Sequence, residues 1–158
     1  MKYNLDFFTQ YSQFYIVNDS MSSETGDFDF WSEQALKDRL AIDENTLGIT
    51  VENDFSMVKG ELEVLESENV QLDFKADHIV EGSLKITNGT IEIQDCPMSG
   101  TILLIPVDNT TYRIRIYSYN LNNPIGVDMM NPNDRYRIEI WPAAIAGRKV
   151  IKRWNPKY

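Results

Sequence analysis

The chain has 158 residues, of which 42% are hydrophobic and 25% charged, with one cysteine and one histidine. That composition fits one globular domain spanning residues 1–158 and excludes intrinsic disorder, an internal disulfide and a structural zinc site, while no apolar run approaches the roughly 20 residues of a membrane span. The first residues, Met1 to Asp6, lack the apolar stretch of a signal peptide, so a cytoplasmic protein is expected, and the net charge of −9 opposes direct binding of nucleic acid.

Period-2 alternation of apolar and polar residues governs most of the chain. It predicts a first strand over residues 10–17, rich in aromatic and β-branched side chains and ended by the turn residues Asn18-Asp19-Ser20. One segment breaks this period. After Ser32, the residues Ala35, Leu36, Arg39 and Leu40 recur at helical spacing, and Ser32 supplies part of a capping box. One short helix is therefore predicted near residues 32–40, with Trp31 placed to staple its entry onto a sheet. Further strands are predicted over 46–52, 59–66, 70–75, 78–86, 90–94, 101–107, 112–119, 135–141 and 149–154. Asn88-Gly89, between Leu84-Lys85-Ile86 and Ile91-Glu92-Ile93, carries the signal of a tight hairpin turn. The expected fold is mainly β: an antiparallel β-sandwich of about eight to ten strands with one short α-helix.

Catalytic chemistry is hard to assemble from these residues. His78 is the sole histidine, and it lies between Asp77 and Ile79 at a strand start, where an ordinary surface or half-buried role is expected. Cys96, between Asp95 and Pro97, has no neighbouring base in sequence to lower its pKa and reads as a packing thiol. The densest carboxylate sets, Asp27-Phe28-Asp29 and Asp43-Glu44, do not follow the spacing of a calcium loop. Glycines are scattered rather than grouped into a phosphate-binding loop. No catalytic residue, metal site or cofactor is therefore predicted. A β-sandwich module for a small ligand or carbohydrate, using Tyr117, Tyr119 and Trp141 on a concave face, is the alternative reading.

Charge is divided along the chain. Residues 1–81 hold 18 of the 24 acids and 5 of the 15 bases, a balance of −13, whereas residues 82–158 hold 6 acids and 10 bases, a balance of +4. An acidic half suits a basic partner, although solubility alone also explains it. The basic stretch from Arg148 to Trp154 reads as a last strand or tail that neutralises part of the acidic half within the molecule.

The order Tyr11-Ser12-Gln13-Phe14-Tyr15-Ile16-Val17, Asp29-Phe30-Trp31-Ser32-Glu33-Gln34-Ala35-Leu36 and Leu47-Gly48-Ile49-Thr50-Val51 resembles bacterial competence protein J. The likeness resumes at residues 70–74, at Asn88 to Ile93, and from Pro106 to Tyr117. Residues 120–158 depart from it and read as strands added to the family-like core. The resemblance implies a cytosolic inhibitor that binds and silences a DNA-degrading competence nuclease, akin to immunity proteins against nuclease toxins. A nuclease holds phosphates in a basic groove, so carboxylates offered in their place would block it. The acids around the helix entry, Glu24, Asp27, Asp29 and Glu33, with Asp43 and Glu44 after it, are the expected partner-binding residues, and Phe30 or Trp31 the expected anchor.

Overall fold

A strand with one apolar face must bury it against another layer, and that requirement organises this molecule. The structure, a computed structural model, describes residues 1–18, 29–98 and 100–156. Among them the chain runs β1 (Lys2–Gln10), β2 (Gln13–Val17), α1 (Glu33–Asp38), β3 (Leu40–Ile42), β4 (Thr46–Thr50) and β5 (Phe55–Val64). It continues through β6 (His78–Lys85), β7 (Thr90–Gln94), β8 (Thr101–Pro106), β9 (Thr111–Tyr119), β10 (Arg135–Pro142) and β11 (Lys149–Lys152). One sheet has the order β1-β5-β10-β9-β6-β11 and the other β3-β4-β2-β7-β8.

The fold is therefore mainly β with one short helix, as the alternation predicts. Pairing is antiparallel apart from β10, which lies parallel to β5. That pair approaches closely at Gly60, where a Cβ would fall 1.7 Å from the Tyr136 carbonyl oxygen. Phe14 and Ile16 of β2, Leu47 and Ile49 of β4, and Ile91 and Ile93 of β7 meet Leu5, Leu62, Ile114, Ile116, Ile138 and Ile140 of the larger sheet in one core. Each such side chain contributes up to about 1.5–3 kcal/mol on burial. The segment after residue 120 supplies β10 in the middle of the larger sheet and β11 at its edge.

Several local expectations are corrected. The strand predicted over 10–17 is interrupted at Tyr11 and Ser12, both left-handed at φ 59° and 56°, and the chain crosses there from one sheet to the other. Asn88-Gly89 likewise links β6 and β7 of different sheets rather than closing a hairpin, and of that pair only Gly89 has positive φ. The helix is shorter than predicted: Ser32 caps it by accepting from the Ala35 amide, and Arg39 ends it in the left-handed region at φ 60°. Leu36 is consequently 57% exposed, and Leu40 belongs to β3. Residues 70–75 form no strand, because the Asn69 and Asp73 side chains accept from the Gln71 and Lys75 amides and bend the backbone into turns. His78, expected to be at the surface or half-buried, is fully buried.

Candidate protein-binding surface

The larger sheet turns a polar face away from the core, and most of the chain's arginines act there. Arg115 is buried and donates to Glu81 at 2.7 Å, to Glu68 at 2.7 Å and to the Asn69 carbonyl at 2.8 Å. Arg113 donates to Glu81 at 3.1 Å, to Ser83 and to the carbonyls of Ala146 and Gly147. Residues 68–69 and 146–147 thus roof the middle of this face. Burial of Arg115 works against its charge, but Glu81 and Tyr117 together outweigh that cost and raise its pKa. Tyr117 and Trp141, expected to line an open concave face, lie under this roof at 0% and 4% exposure.

The basic tail is tied up in the same manner. β11 pairs with β6, and Arg148 and Arg153 donate to the two oxygens of Asp38 at 2.7 and 2.6 Å. Burial raises the pKa of Asp38, yet hydrogen bonds from Arg153, Gln34 and Arg148 hold its carboxyl below the usual range. Beneath this clamp His78 donates from Nε2 to the Asp38 carbonyl at 2.8 Å and accepts at Nδ1 from the Trp154 amide at 3.1 Å. Both contacts suit the neutral ring. Desolvation, aided by the nearby charges of Arg39 and Arg153, pushes its pKa down to about 4.

Carboxylates remain in the open where the roof ends. On β5 the outward positions are Phe55, Met57, Lys59, Glu61 and Glu63, facing Gln10, Phe8, Asp6, Asn4 and Lys2 of β1. Glu66 and Glu68 follow on the exposed connection. Among the described residues, no ion pair within 4 Å engages Glu63 or Glu66, and the Glu61 side chain is 48% exposed, at 3.9 Å from Arg137. The sequence expectation does not include this row, although its signal is present: Glu61 and Glu63 alternate with Leu62 and Val64, which places both acids on the solvent side of a predicted strand.

The predicted helix-entry residues are distributed differently. Glu24 and Asp27 lie outside the described residues. Asp29 is exposed, and Glu33 is exposed and pairs with Lys37 one turn along the helix at 3.2 Å. Phe30 is 6% exposed and packs with Tyr15, Val17, Ala35, Ala41 and Cys96, and Trp31 is half-buried against that cluster. A Cβ on Gly48 would meet the Trp31 ring at 2.7 Å, so the bare glycine backbone of β4 is what seats the indole. Asp43 and Glu44 occupy the β3–β4 turn, where Asp43 accepts from the Asn45 amide. Between α1, residues 121–124 and the C-terminal segment lies a cleft of about 870 Å³, lined by Lys37, Arg39, Glu52, Arg153 and Trp154 among others. Arg39 stacks over the Trp154 ring at 5.3 Å and donates to Glu52 at 2.9 Å.

No family model and no curated protein matches the sequence. Solved structures do resemble the fold. The crystal structure of ComJ, inhibitor of the DNA degrading activity of NucA, from Bacillus subtilis, superposes with a TM-score of 0.65 at 16% identity over 90% of this chain and 99% of that one. A protein described as crocagin biosynthetic gene J superposes with a TM-score of 0.58 at 11% identity, over 91% of this chain and 99% of that one. The chain thus has a ComJ-like fold. Among the described residues, no helix is long and apolar enough to cross a membrane.

Proposed function

We propose that this chain is a non-catalytic protein inhibitor of a DNA-degrading nuclease, acting in the cytoplasm by offering carboxylates where the nuclease would hold phosphates. The observation that carries the reading is the likeness of nearly the whole fold to an inhibitor of such an enzyme. Charge placement supports it. Arg113, Arg115, Arg148 and Arg153 are engaged by internal carboxylates and carbonyls, whereas Glu61, Glu63 and Glu66 face solvent. An acidic exterior of this kind accelerates encounter with a basic protein and loses that advantage as salt rises.

The row on β5 is the contact we favour, with Asp29, Glu33, Asp43 and Glu44 as a second acidic group that contributes to attraction. Phe30 cannot anchor a partner without leaving its own cluster. Immobilised protein should retain from host lysate, at low salt, a nuclease whose DNA-degrading activity it suppresses in solution. Reversing Glu61, Glu63 and Glu66 to lysine should abolish that suppression, and reversing the helix-entry group should weaken it. Undiminished inhibition by both folded variants would reject an acidic contact. A ligand-binding role is favoured by the cleft beside Trp154, and a ligand-induced rise in melting temperature without any protein partner would support it.

A further inference from the structure

One corner of the molecule exposes aromatic and methionine side chains that neither the core nor the acidic row explains. Phe8 and Phe55 meet edge to face with ring centroids 4.4 Å apart, and Met57 stands directly opposite Phe8 across the β1–β5 pair. Gln10 faces Phe55, and the next residue, Tyr11, is 65% exposed. The Met129 carbonyl accepts from the Met57 amide at 3.0 Å and from the Ser56 hydroxyl at 2.9 Å, which draws the β9–β10 connection onto the same corner. Phe55, Met129 and Met130 are 50%, 51% and 53% exposed. Aromatic and methionine side chains are the types enriched at protein interfaces, and a cluster of them left in water marks a binding site more often than scattered apolar residues do.

This corner is rigid before any partner arrives. Asp128 accepts from the Met130 amide at 2.9 Å, from the Asn131 amide at 3.1 Å and from the Asn131 side chain at 3.0 Å. Asn53 donates to the Pro124 carbonyl at 3.0 Å and to Asp134 at 2.8 Å, fixing the base of the same connection. Tyr11 and Ser12 are both held in the left-handed region, at φ 59° and 56°, a conformation unfavourable for side chains of their kind, and it holds the Tyr11 ring outward. A platform whose backbone is already fixed loses little conformational freedom on binding.

We propose that Phe8, Tyr11, Phe55, Met57, Met129 and Met130 form the apolar anchor on which the basic nuclease docks, with the neighbouring acidic row of β5 as its charged flank. The proposal rests on the inhibitor reading and adds the contact that supplies affinity. Electrostatics selects the occupant: Asp54 and Asp128 border the platform, Glu61 and Glu63 lie further along β5 beyond the Lys59–Asp6 ion pair, and the chain carries −9. A second copy would bring like charges together, whereas a basic protein is attracted by the same field.

The test uses the full chain and the nuclease it retains from host lysate, with Phe55→Ser, Met130→Ser and the double variant. Inhibition should weaken by about 30-fold or more in the double variant, the range of a lost interface hot spot. Its salt dependence should stay as in the parent, since no charge changes. Circular dichroism and melting confirm folding, and hydrogen exchange of the parent complex should show protection at residues 53–58 and 127–131. Unchanged inhibition by the folded double variant overturns the platform and leaves the inhibitor reading standing. A parent chain that inhibits no nuclease removes both. If instead the parent forms a dimer that the double variant cannot form, the platform belongs to a second copy and the proposal fails. Should Phe55→Ser unfold the protein, Met130→Ser and the exchange pattern still decide the matter.

Discussion

Glu139 and Glu63 are direct neighbours in register on β10 and β5, point to the same side of the sheet, and differ in almost every physical respect. Glu139 is 1% exposed, lies 3.6 Å from Arg115 and accepts from Asn69 and Arg137. Glu63 is half exposed and, among the described residues, has no ion pair within 4 Å. What separates them is the connection after β5, which passes over β9 and β10 and leaves β1 and β5 open. A charge on a strand is therefore structural or functional according to whether another segment roofs it.

The largest expected effect lies under the roof. Removing one member of a buried ion-pair group leaves the others charged and without a partner, so Arg115→Ala should lower the unfolding free energy by about 3–5 kcal/mol, read as a shifted urea midpoint. A loss below about 1 kcal/mol would mean that the covered and open charges are energetically alike, and the comparison would fail.

Next comes a second buried polar site, under the C-terminal clamp. His78 has its pKa lowered to about 4 in the fold from an ordinary 6.5. A lowered folded value means that the unfolded chain takes up the proton first as pH falls. The contribution of the neutral ring is complete above about pH 6.5 and is lost progressively down to about pH 4, by roughly 3 kcal/mol in total. Chemical denaturation at several pH values should show that slope, and it should be absent in a folded His78→Gln variant. An equal slope in both proteins would assign the loss to carboxylates instead.

Much of the fold was legible because the period of two survives in nearly every strand. Tyr112 to Ile116 and Tyr136 to Ile140, which share the order Tyr-Arg-Ile and a closing Ile, are adjacent strands of one sheet. β1 is not predicted although Tyr3, Leu5 and Phe7 alternate with polar residues, because Asn4 and Asp6 weaken the local strand signal. The crossings at Tyr11-Ser12 and Asn88-Gly89 were illegible for another reason: a turn residue reports backbone geometry and not which sheet the next strand joins. On the surface, two sequence signals point to different residues. Density in sequence points to Asp27, Asp29, Asp43 and Glu44, whereas spacing, which decides placement on one strand face, points to Glu61 and Glu63. Burial of Tyr117 and Trp141 depends on the roofing residues 68–69 and 146–147, and those carry no strand or helix pattern at all.

The smallest stability effect should come from the open side, where an effect on the association rate is expected instead. Glu61→Gln with Glu63→Gln removes two charges from a solvated strand face, and such changes usually stay within about 0.5 kcal/mol. Unfolding should be nearly unaltered. Association with the nuclease should slow by about tenfold at low salt and converge with the parent rate as ionic strength rises, because the row also attracts its partner through a screened field before making contact. If the double substitution instead destabilises the fold while leaving the association rate intact, these carboxylates are structural after all. Glu63 would then share the role of Glu139, and exposure would have ceased to distinguish the two sides of the sheet.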